Sequence, residues 1–388
     1  MREAVIVSAV RTPVGKFRGS FAPIPAYKLG AAAVREAVKR AKIDPEEIDD
    51  VIFGNLMNNE INNMARMVAL EAGLPYTVPG IQVDRQCAAG LNAIAYAAIL
   101  VEAGYGDVFV AGGVESDSTR VYLMEKPSAA YQGAPPKWAV TQVAPGDLNI
   151  PMGVTAENLA VKYSLTREEC DEFALRSHRL ASEAWNLGYF DEQIVPIEAP
   201  AGKGKTVLIS RDETVRPETT MEALGKLKPS FKKDGIVTAG NSSPLCDGAG
   251  AVVIMEKEKA KALGLEILGK FKGYAAAGVD PNYMGTGPIA ATNKLFAKTG
   301  MTMEDIDLIE MNEAFASQSL ACARELNMDM DKLNVNGGAI ALGHPMGGTG
   351  AILITKMVYE LKRRNLHTGL LSFCVGGGQG VSVIIERE

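Results

Sequence analysis

The feature that most restricts the fold of this 388-residue chain is that it repeats itself. Glu47-Ile-Asp-Asp-Val-Ile-Phe53 is echoed by Asp305-Ile-Asp-Leu-Ile-Glu-Met311, and Gly248-Ala-Gly-Ala-Val-Val-Ile254 by Gly378-Gln-Gly-Val-Ser-Val-Ile384. Between the members of each echoed set lies a helix of small residues, one entered at Cys87-Ala-Ala-Gly90 and the other at His344-Pro-Met-Gly347. The order of the echoes is preserved, which points to two homologous halves. Packed about a pseudo-twofold axis, such halves bring the two helix starts together.

Short β-branched runs alternate with small-residue helices, the pattern of an α/β protein with a buried, largely parallel sheet. Strands are expected at Val51–Phe53, Ile81–Val83, Val108–Ala111, Ala251–Met255, Asp307–Met311, Leu370–Cys374 and Gly380–Ile385. Helices are expected at Gly30–Lys42, Cys87–Ala103, Arg167–Leu187 and from about His344 to about Arg364. Thr166-Arg-Glu-Glu169 reads as a capping box for the third. The segment 117–150 holds Pro127, Pro135, Pro136 and Pro145 and no sustained period. It begins a long excursion, and excursions on a rigid core usually carry function. The division expected is 1–116 plus 245–266 as the first half, 117–244 as an inserted loop domain or lid, and 267–388 as the second half.

Charge and cysteine usage narrow the setting. A net charge of −6 with both signs interspersed leaves no footprint for nucleic acid or anionic membrane. Leu91–Ala103 is too short to span a bilayer, and no leader or targeting tripeptide is evident, so a cytoplasmic setting is expected. Five scattered cysteines suit a reducing compartment. Three histidines without paired spacing to cysteine argue against zinc.

Four segments carry candidate chemistry. Cys87 stands between a strand and a helix start, where free N–H groups and the helix dipole should lower its thiol pKa; by itself it also fits a small buried hydrophobe. His344 sits on a glycine-rich corner before Pro345, a better place for a general base than an apolar helix face. Cys374 enters Val375-Gly-Gly-Gly-Gln-Gly380, whose N–H groups could converge on an oxyanion or simply form a bend. Asn312, at a strand's carboxyl end, could orient a water or only cap a helix. Cys170, Cys246 and Cys322 read as structural, and His178 and His367 as uninvolved in chemistry.

Together these blocks resemble the thiolase family along essentially the whole chain. Arg11-Thr-Pro-Val-Gly-Lys-Phe17, Ala111-Gly-Gly-Val-Glu-Ser116, Met152-Gly-Val-Thr-Ala-Glu157 and Thr238-Ala-Gly-Asn-Ser-Ser243 are similar to its signatures. The blocks around Cys87, Asn312, His344 and Cys374 follow in the family's order. The resemblance implies a thiolase-like fold and transfer of an acyl group from coenzyme A to Cys87, which His344 deprotonates. It implies that Cys374 exchanges the α-proton of acetyl-CoA, with His344 and a water held by Asn312 stabilising the enolate. The N–H groups of Cys87 and Gly376 would form the oxyanion hole. Arg216 and Ser243 would bind coenzyme A, and Met152, Phe231, Met284 and Phe315 would line the acyl and pantetheine pocket. No metal or permanent cofactor is implied, the substrates being coenzyme A thioesters with short acyl chains such as acetoacetyl-CoA favoured. A homodimer or homotetramer is implied as well.

The chain departs from the family pattern at Asp84 (usually Asn), Ala89 (usually Ser), Pro151 (often His) and Asp117-Ser118, and along 117–150. These departures bear on chain length and oligomer size. A decarboxylating ketoacyl synthase on the same fold wants His or Asn where Cys374 stands. A silent acyl-CoA binder does not need all four catalytic blocks, and a nicotinamide enzyme wants a G-x-G-x-x-G after the first strand.

Overall fold

The computed structural model describes residues 2–127, 129, 131, 137–139 and 141–388. Pro135 and Pro136 of the excursion lie outside the described residues. The strands are β1 (Ala4–Arg11), β2 (Gly15–Lys16), β3 (Asp50–Gly54), β4 (Gly80–Val83), β5 (Val108–Ser116), β6 (Ile197–Pro200), β7 (Thr206–Ile209), β8 (Cys246–Glu256), β9 (Gly269–Gly278), β10 (Leu308–Met311), β11 (Thr368–Val375) and β12 (Gln379–Glu386). The helices are α1 (Ala26–Ala41), α2 (Met64–Glu71), α3 (Ala89–Ala103), α4 (Met152–Lys162), α5 (Arg167–Asn186), α6 (Met221–Gly225), α7 (Lys257–Ala262), α8 (Gly287–Thr299), α9 (Ala316–Glu325), α10 (Ala339–Leu342) and α11 (Met346–Arg364).

The sheet is mixed and mostly antiparallel rather than largely parallel as expected, because its central strands β1, β8, β9 and β12 run against their neighbours. The repeat is realised as two halves of it with the same connectivity. In the first, β1 pairs antiparallel with β8, β8 antiparallel with β5, and β5 parallel with β3. In the second, β9 pairs antiparallel with β12, β12 antiparallel with β11, and β11 parallel with β10. The echoed segments therefore occupy equivalent places, β3 with β10 and β8 with β12. The halves join where β1 meets β9 antiparallel, Val5 opposite Lys270 and Ile6 opposite Gly269.

Side-chain alternation sends each strand's residues to two different layers. On β1, Val5 and Val7 face the cluster containing Leu29 and Val34 of α1, while Ala4 and Ile6 face Leu91 and Ile94 of α3 and Ile354 of α11. On β11, Leu371 and Phe373 face the same inner helices, and Leu370 packs with Leu295 of α8. The result is a layered sandwich, with α1 and α2 outside one sheet half, α3 and α11 between the halves, and α8 outside the other. The apolar run of α3 extends by composition back to Gln86, so its length does not exclude a membrane span as expected. Its burial between the sheets instead makes it the central helix.

The small residues of α3 and α11 have a steric purpose. A Cβ on Gly90 would lie 2.4 Å from the Gly347 carbonyl oxygen, and one on Gly350 would lie 1.9 Å from the Leu91 nitrogen. Backbones this close exclude any side chain at those points. The contact fixes the start of α3, beside Cys87, against the start of α11, beside His344.

The structure adds elements that periodicity did not reveal. β9 (Gly-Lys-Phe-Lys-Gly-Tyr-Ala-Ala-Ala-Gly) has little intrinsic strand preference; it forms because β12 pairs along most of its length and β1 borders its other edge. The expected capping box on α5 is present, with Thr166 and Glu169 exchanging hydrogen bonds. Residues 197–209 fold into the separate β6–β7 ribbon. The insertion is tied to the core by a buried ion pair. Arg11 at the end of β1 donates through Nη1 and Nη2 to Asp212 at 2.8 and 3.1 Å, and Trp185 Nε1 and the Val14 N–H donate to the same carboxylate. That bond set holds the loop that carries Arg216.

Candidate active site

The turn from β4 into α3 sets the position of Cys87. Gln86 has φ +45°, a left-handed conformation uncommon for a residue with a side chain. The helix begins at Ala89, so Cys87 precedes it. The backbone N–H groups of Gly376 and of Cys87 itself favour the Cys87 thiolate. These bonds do not suffice to make a resting thiolate. Burial outweighs them, the carboxylates of Glu115 and Asp84 add to it, and the thiol is pushed up to about 11. The expectation of a lowered thiol pKa is therefore corrected: the desolvation that tertiary packing imposes exceeds what the amides return.

His344 stands between α10 and α11, after Gly343 at φ +92°. Its Nδ1 lies 2.7 Å from Thr349 Oγ1, and that hydroxyl donates to the Pro345 carbonyl at 3.0 Å. Thr349 has one hydrogen and spends it on Pro345, so it accepts from Nδ1–H. This assigns the tautomer and leaves Nε2 with its lone pair. Burial lowers the His344 pKa to about 4, so the ring is neutral near pH 7. A neutral thiol and a neutral imidazole are the resting pair.

Asn312 follows β10 and is fully buried. Its Nδ2 is 3.3 Å from His344 Nε2, and its Oδ1 has no hydrogen-bond partner among the described residues. Because Met311 pairs with Ser372 across the parallel β10–β11 edge, and the Asn312 N–H donates to the Ser372 carbonyl, Asn312 lies near the end of β11 where Cys374 sits. Cys374 is fully buried. Burial raises its pKa well above the ordinary thiol value, and the neighbouring Cys87 sulfur raises it further. Gly377 and Gly378 turn the chain into β12 at φ +79° and +82°, and Gly376 before them lies beside the Cys87 turn, where a Cβ would stand 3.4 Å from Gln86 Oε1.

The expected pocket residues gather at this place. Met284 and Phe315 share an apolar cluster with Cys374, and Met152 packs against it. The Phe231 ring lies edge-on to Phe315 with centroids 6.1 Å apart, and covers Gly153 at the start of α4. Ser243 donates its N–H to the Ala314 carbonyl, beside Phe315. Arg216 is exposed on its loop and donates its backbone N–H to His178 Nδ1 at 3.2 Å. Burial first, then the Arg216 charge, lowers His178 to about 4, which keeps it a neutral acceptor. His178 is thus an anchor of the Arg216 loop rather than an uninvolved helix residue.

Sequence reasoning missed this anchor, and it missed Thr349 and Glu115. Glu115 is buried at the end of β5 and accepts from the N–H groups of Leu56, Met57 and Gly347 and from Asn55 Nδ2. It fastens the first turn of α11, and so His344, to the opposite half. Its place within Ala111–Ser116 was the one available signal.

Two family descriptions match the chain end to end: thiolase, N-terminal domain, over residues 4–258, and thiolase, C-terminal domain, over residues 265–387. The chain belongs to the thiolase family. It is 46% identical over 395 residues to an acetyl-CoA acetyltransferase of Pseudomonas aeruginosa, covering 100% of both chains. It is 44% identical over 393 residues to an acetyl-CoA acetyltransferase of Escherichia coli, again covering 100% of both. Among solved structures it is similar to the Bacillus anthracis acetyl-CoA acetyltransferase, with TM-score 0.96 and 46% identity over 100% of this chain and 99% of that one. It is also similar to human mitochondrial 3-ketoacyl-CoA thiolase, with TM-score 0.94 and 39% identity over 100% and 99%.

The departures of this thiolase from the family pattern are accommodated locally. Asp117 accepts the Cys246 N–H, and Ser118 donates its hydroxyl and N–H to the Asp247 carboxylate, so both substitutions join one polar cluster behind β8. Pro151 is the N-cap residue of α4, where a fixed φ suits the start of a helix. Ala89 is buried as the first residue of α3. Along 117–150, Val143 presents its carbonyl to Gly377 at a distance that a Cβ there would not tolerate, so the altered segment borders the glycine turn after Cys374.

Proposed function

We propose that this thiolase transfers an acyl group from coenzyme A to Cys87 and then condenses it with acetyl-CoA, or runs the same steps in reverse as thiolysis. The observation that carries this assignment is the convergence of the blocks: a Cβ on Gly90 would lie 2.4 Å from the Gly347 carbonyl oxygen, which sets the helix start beside Cys87 against the one beside His344, and Asn312 Nδ2 stands 3.3 Å from His344 Nε2.

The proton inventory gives the order of steps. His344 Nε2 takes the Cys87 proton as the sulfur attacks the thioester carbonyl. The N–H groups of Cys87 and Gly376 hold the tetrahedral oxygen. Only after this transfer does Nε2 carry a hydrogen to donate, since Thr349 fixes the other proton on Nδ1. The departing coenzyme A sulfur takes its proton from Cys374, which leaves a Cys374 thiolate beside a His344 imidazolium. That thiolate removes the α-proton of acetyl-CoA. The imidazolium and a water held by Asn312 stabilise the enolate oxygen, the carbanion attacks the acyl-Cys87 carbonyl, and the acyl–sulfur bond breaks as Cys87 takes its proton back from the imidazolium. No permanent cofactor enters this reading.

Coenzyme A would lie under the inserted domain, 117–244, acting as a lid between the halves 1–116 plus 245–266 and 267–388. Arg216 would meet the nucleotide and Ser243 the pantetheine arm. A cleft of about 450 Å³ beside the Arg216 loop, where Arg176 and Arg179 outnumber the single carboxylate Glu172 and His178, Pro217 and Thr219 also line the wall, supports that placement. Phe231 set edge-on against Phe315, beside Met284 and Cys374, leaves a wall suited to a short acyl group. Thiolysis of 3-ketoacyl-CoA substrates of graded length tests this. The kcat/KM for acetoacetyl-CoA should exceed that for 3-ketohexadecanoyl-CoA by about tenfold or more; comparable values would overturn the short-chain reading.

We also place the enzyme in the cytoplasm as a homodimer or homotetramer. At one end of the sheet, β10 is closed off by the 332–334 segment, which bonds to Ile309 and Met311. At the other end β4 is terminal, with Ile81 exposed. An open apolar edge is a surface for pairing with a second copy. Light scattering should give at least a dimer; an active monomer at micromolar concentration would contradict the assignment.

A further inference from the structure

The carboxylate of Asp84 is bonded to the most strained residue beside the nucleophile. Its Oδ1 accepts the Gln86 backbone N–H at 2.7 Å, and Gln86 Nε2 returns to Oδ1 and Oδ2 at 3.3 and 3.4 Å. Gln86 has φ +45°, a left-handed conformation that a residue with a Cβ rarely adopts. The surroundings must therefore supply bonds that keep it there. From this turn the Gln86 side chain reaches Gly376: its Oε1 lies 3.4 Å from where a Gly376 Cβ would stand. Arg85 braces the same turn from the other side, donating to Gln379 Oε1 at 3.1 Å, just past the glycine turn.

We infer that Asp84 is a positioning residue for the acyl-transfer step, holding the Gln86 turn so that the Cys87 sulfur stays in register with the Gly376 N–H. The inference rests on the assignment of Cys87 as nucleophile but adds a residue which that assignment does not require. The register matters because a displacement of about 1 Å at a reacting group costs on the order of 10²-fold in rate. Asn at this position would keep the oxygen that accepts the Gln86 N–H. Asp adds a negative charge beside a thiol that must become anionic, so this chain holds the turn with a group that also restrains its own nucleophile. Among the described residues, the charged and titratable groups around Cys87 are Asp84 and Arg85 in its own turn, Glu115 from β5, His344 before α11 and Cys374 from β11.

The test compares wild type with Asp84→Ala, Asp84→Asn, Gln86→Gly and the Asp84→Ala/Gln86→Gly double variant. Two readouts are needed: rapid-quench acetylation of Cys87 by acetyl-CoA, and the pH profile of Cys87 alkylation by iodoacetamide, mapped by peptide mass. Asp84→Ala should slow acetylation by about 10-fold or more, with the acetyl-CoA concentration for half-maximal rate little changed. Asp84→Asn should restore the rate to within about threefold and shift the alkylation profile to lower pH. In the Gln86→Gly background, where glycine adopts the turn freely, Asp84→Ala should add little further loss. The inference is overturned if Asp84→Ala acetylates at the wild-type rate, if Asp84→Asn loses as much as Asp84→Ala, or if the two losses multiply in the double variant. Failure of the nucleophile assignment looks different: wild-type Cys87 would take no acetyl group, while the alkylation profiles would still report whether Asp84 sets the sulfur's surroundings.

Discussion

Replacing His344 by Ala is expected to slow acetylation of Cys87 by about 10²–10⁴-fold, the usual loss for a positioned general base. The size of the effect follows from the resting state. With the Cys87 thiol pushed up to about 11, spontaneous ionisation near neutral pH supplies almost no thiolate, and the proton must leave as the sulfur attacks. His344 Nε2 is the lone pair available for it, because Thr349 holds the hydrogen on Nδ1. The pH dependence has a definite sign. A His344 pKa lowered to about 4 means that the base is neutral at every pH well above that value, and loses its lone pair only as pH falls through it. The first-order rate of Cys87 acetylation should therefore be flat across roughly pH 6–9. Stopped-flow or quench measurement at saturating acetyl-CoA checks this. A rate falling tenfold per unit below pH 7 would mean either that His344 titrates normally or that another group is the base.

The sequence carried the architecture further than it carried the electrostatics. The echo of Glu47–Phe53 in Asp305–Met311 is legible because equivalent strands in two halves face equivalent neighbours, and β3 and β10 each pair parallel with a partner strand, β5 or β11. The meeting of the helix starts beside Cys87 and His344 was legible from the repeat, because halves related by a pseudo-twofold axis bring equivalent helices together, and the backbones approach there at Gly90 and Gly347. β9 was not legible, because its Gly- and Ala-rich residues are held by their neighbours' hydrogen bonds rather than by their own preference. Thr349 was invisible for a different reason. It bonds His344 only once the chain has turned through Pro345, and nothing in a five-residue spacing announces that turn. The thiol pKa of Cys87 was misread because a helix start is a local feature, while desolvation depends on everything packed around it. His178 shows the same limit: its partner, Arg216, is brought to it by a fold that the buried Arg11–Asp212 pair helps to close.

Cys374→Ala should separate the two half-reactions. In the proposed scheme acylation uses Cys87, the Gly376 N–H and His344; in the variant the departing coenzyme A can take back the proton that His344 received, so acetyl transfer should survive. Condensation should not, because the α-proton of acetyl-CoA is far too weakly acidic to leave without a base set against the stabilised enolate oxygen. Asn312→Ala, which removes one contributor to that oxygen's stabilisation, should slow α-proton exchange by on the order of 10²-fold, a smaller loss than removal of the base itself. The proposed chemistry depends on this division of labour between the two sulfurs. Its most direct test is to mix the Cys374→Ala enzyme with acetyl-CoA in deuterated water and follow both the peptide mass at Cys87 and deuterium in the recovered acetyl-CoA. An acetyl group on Cys87 with no deuterium gained is the predicted result; exchange at the wild-type rate, or an unmodified Cys87, would contradict it.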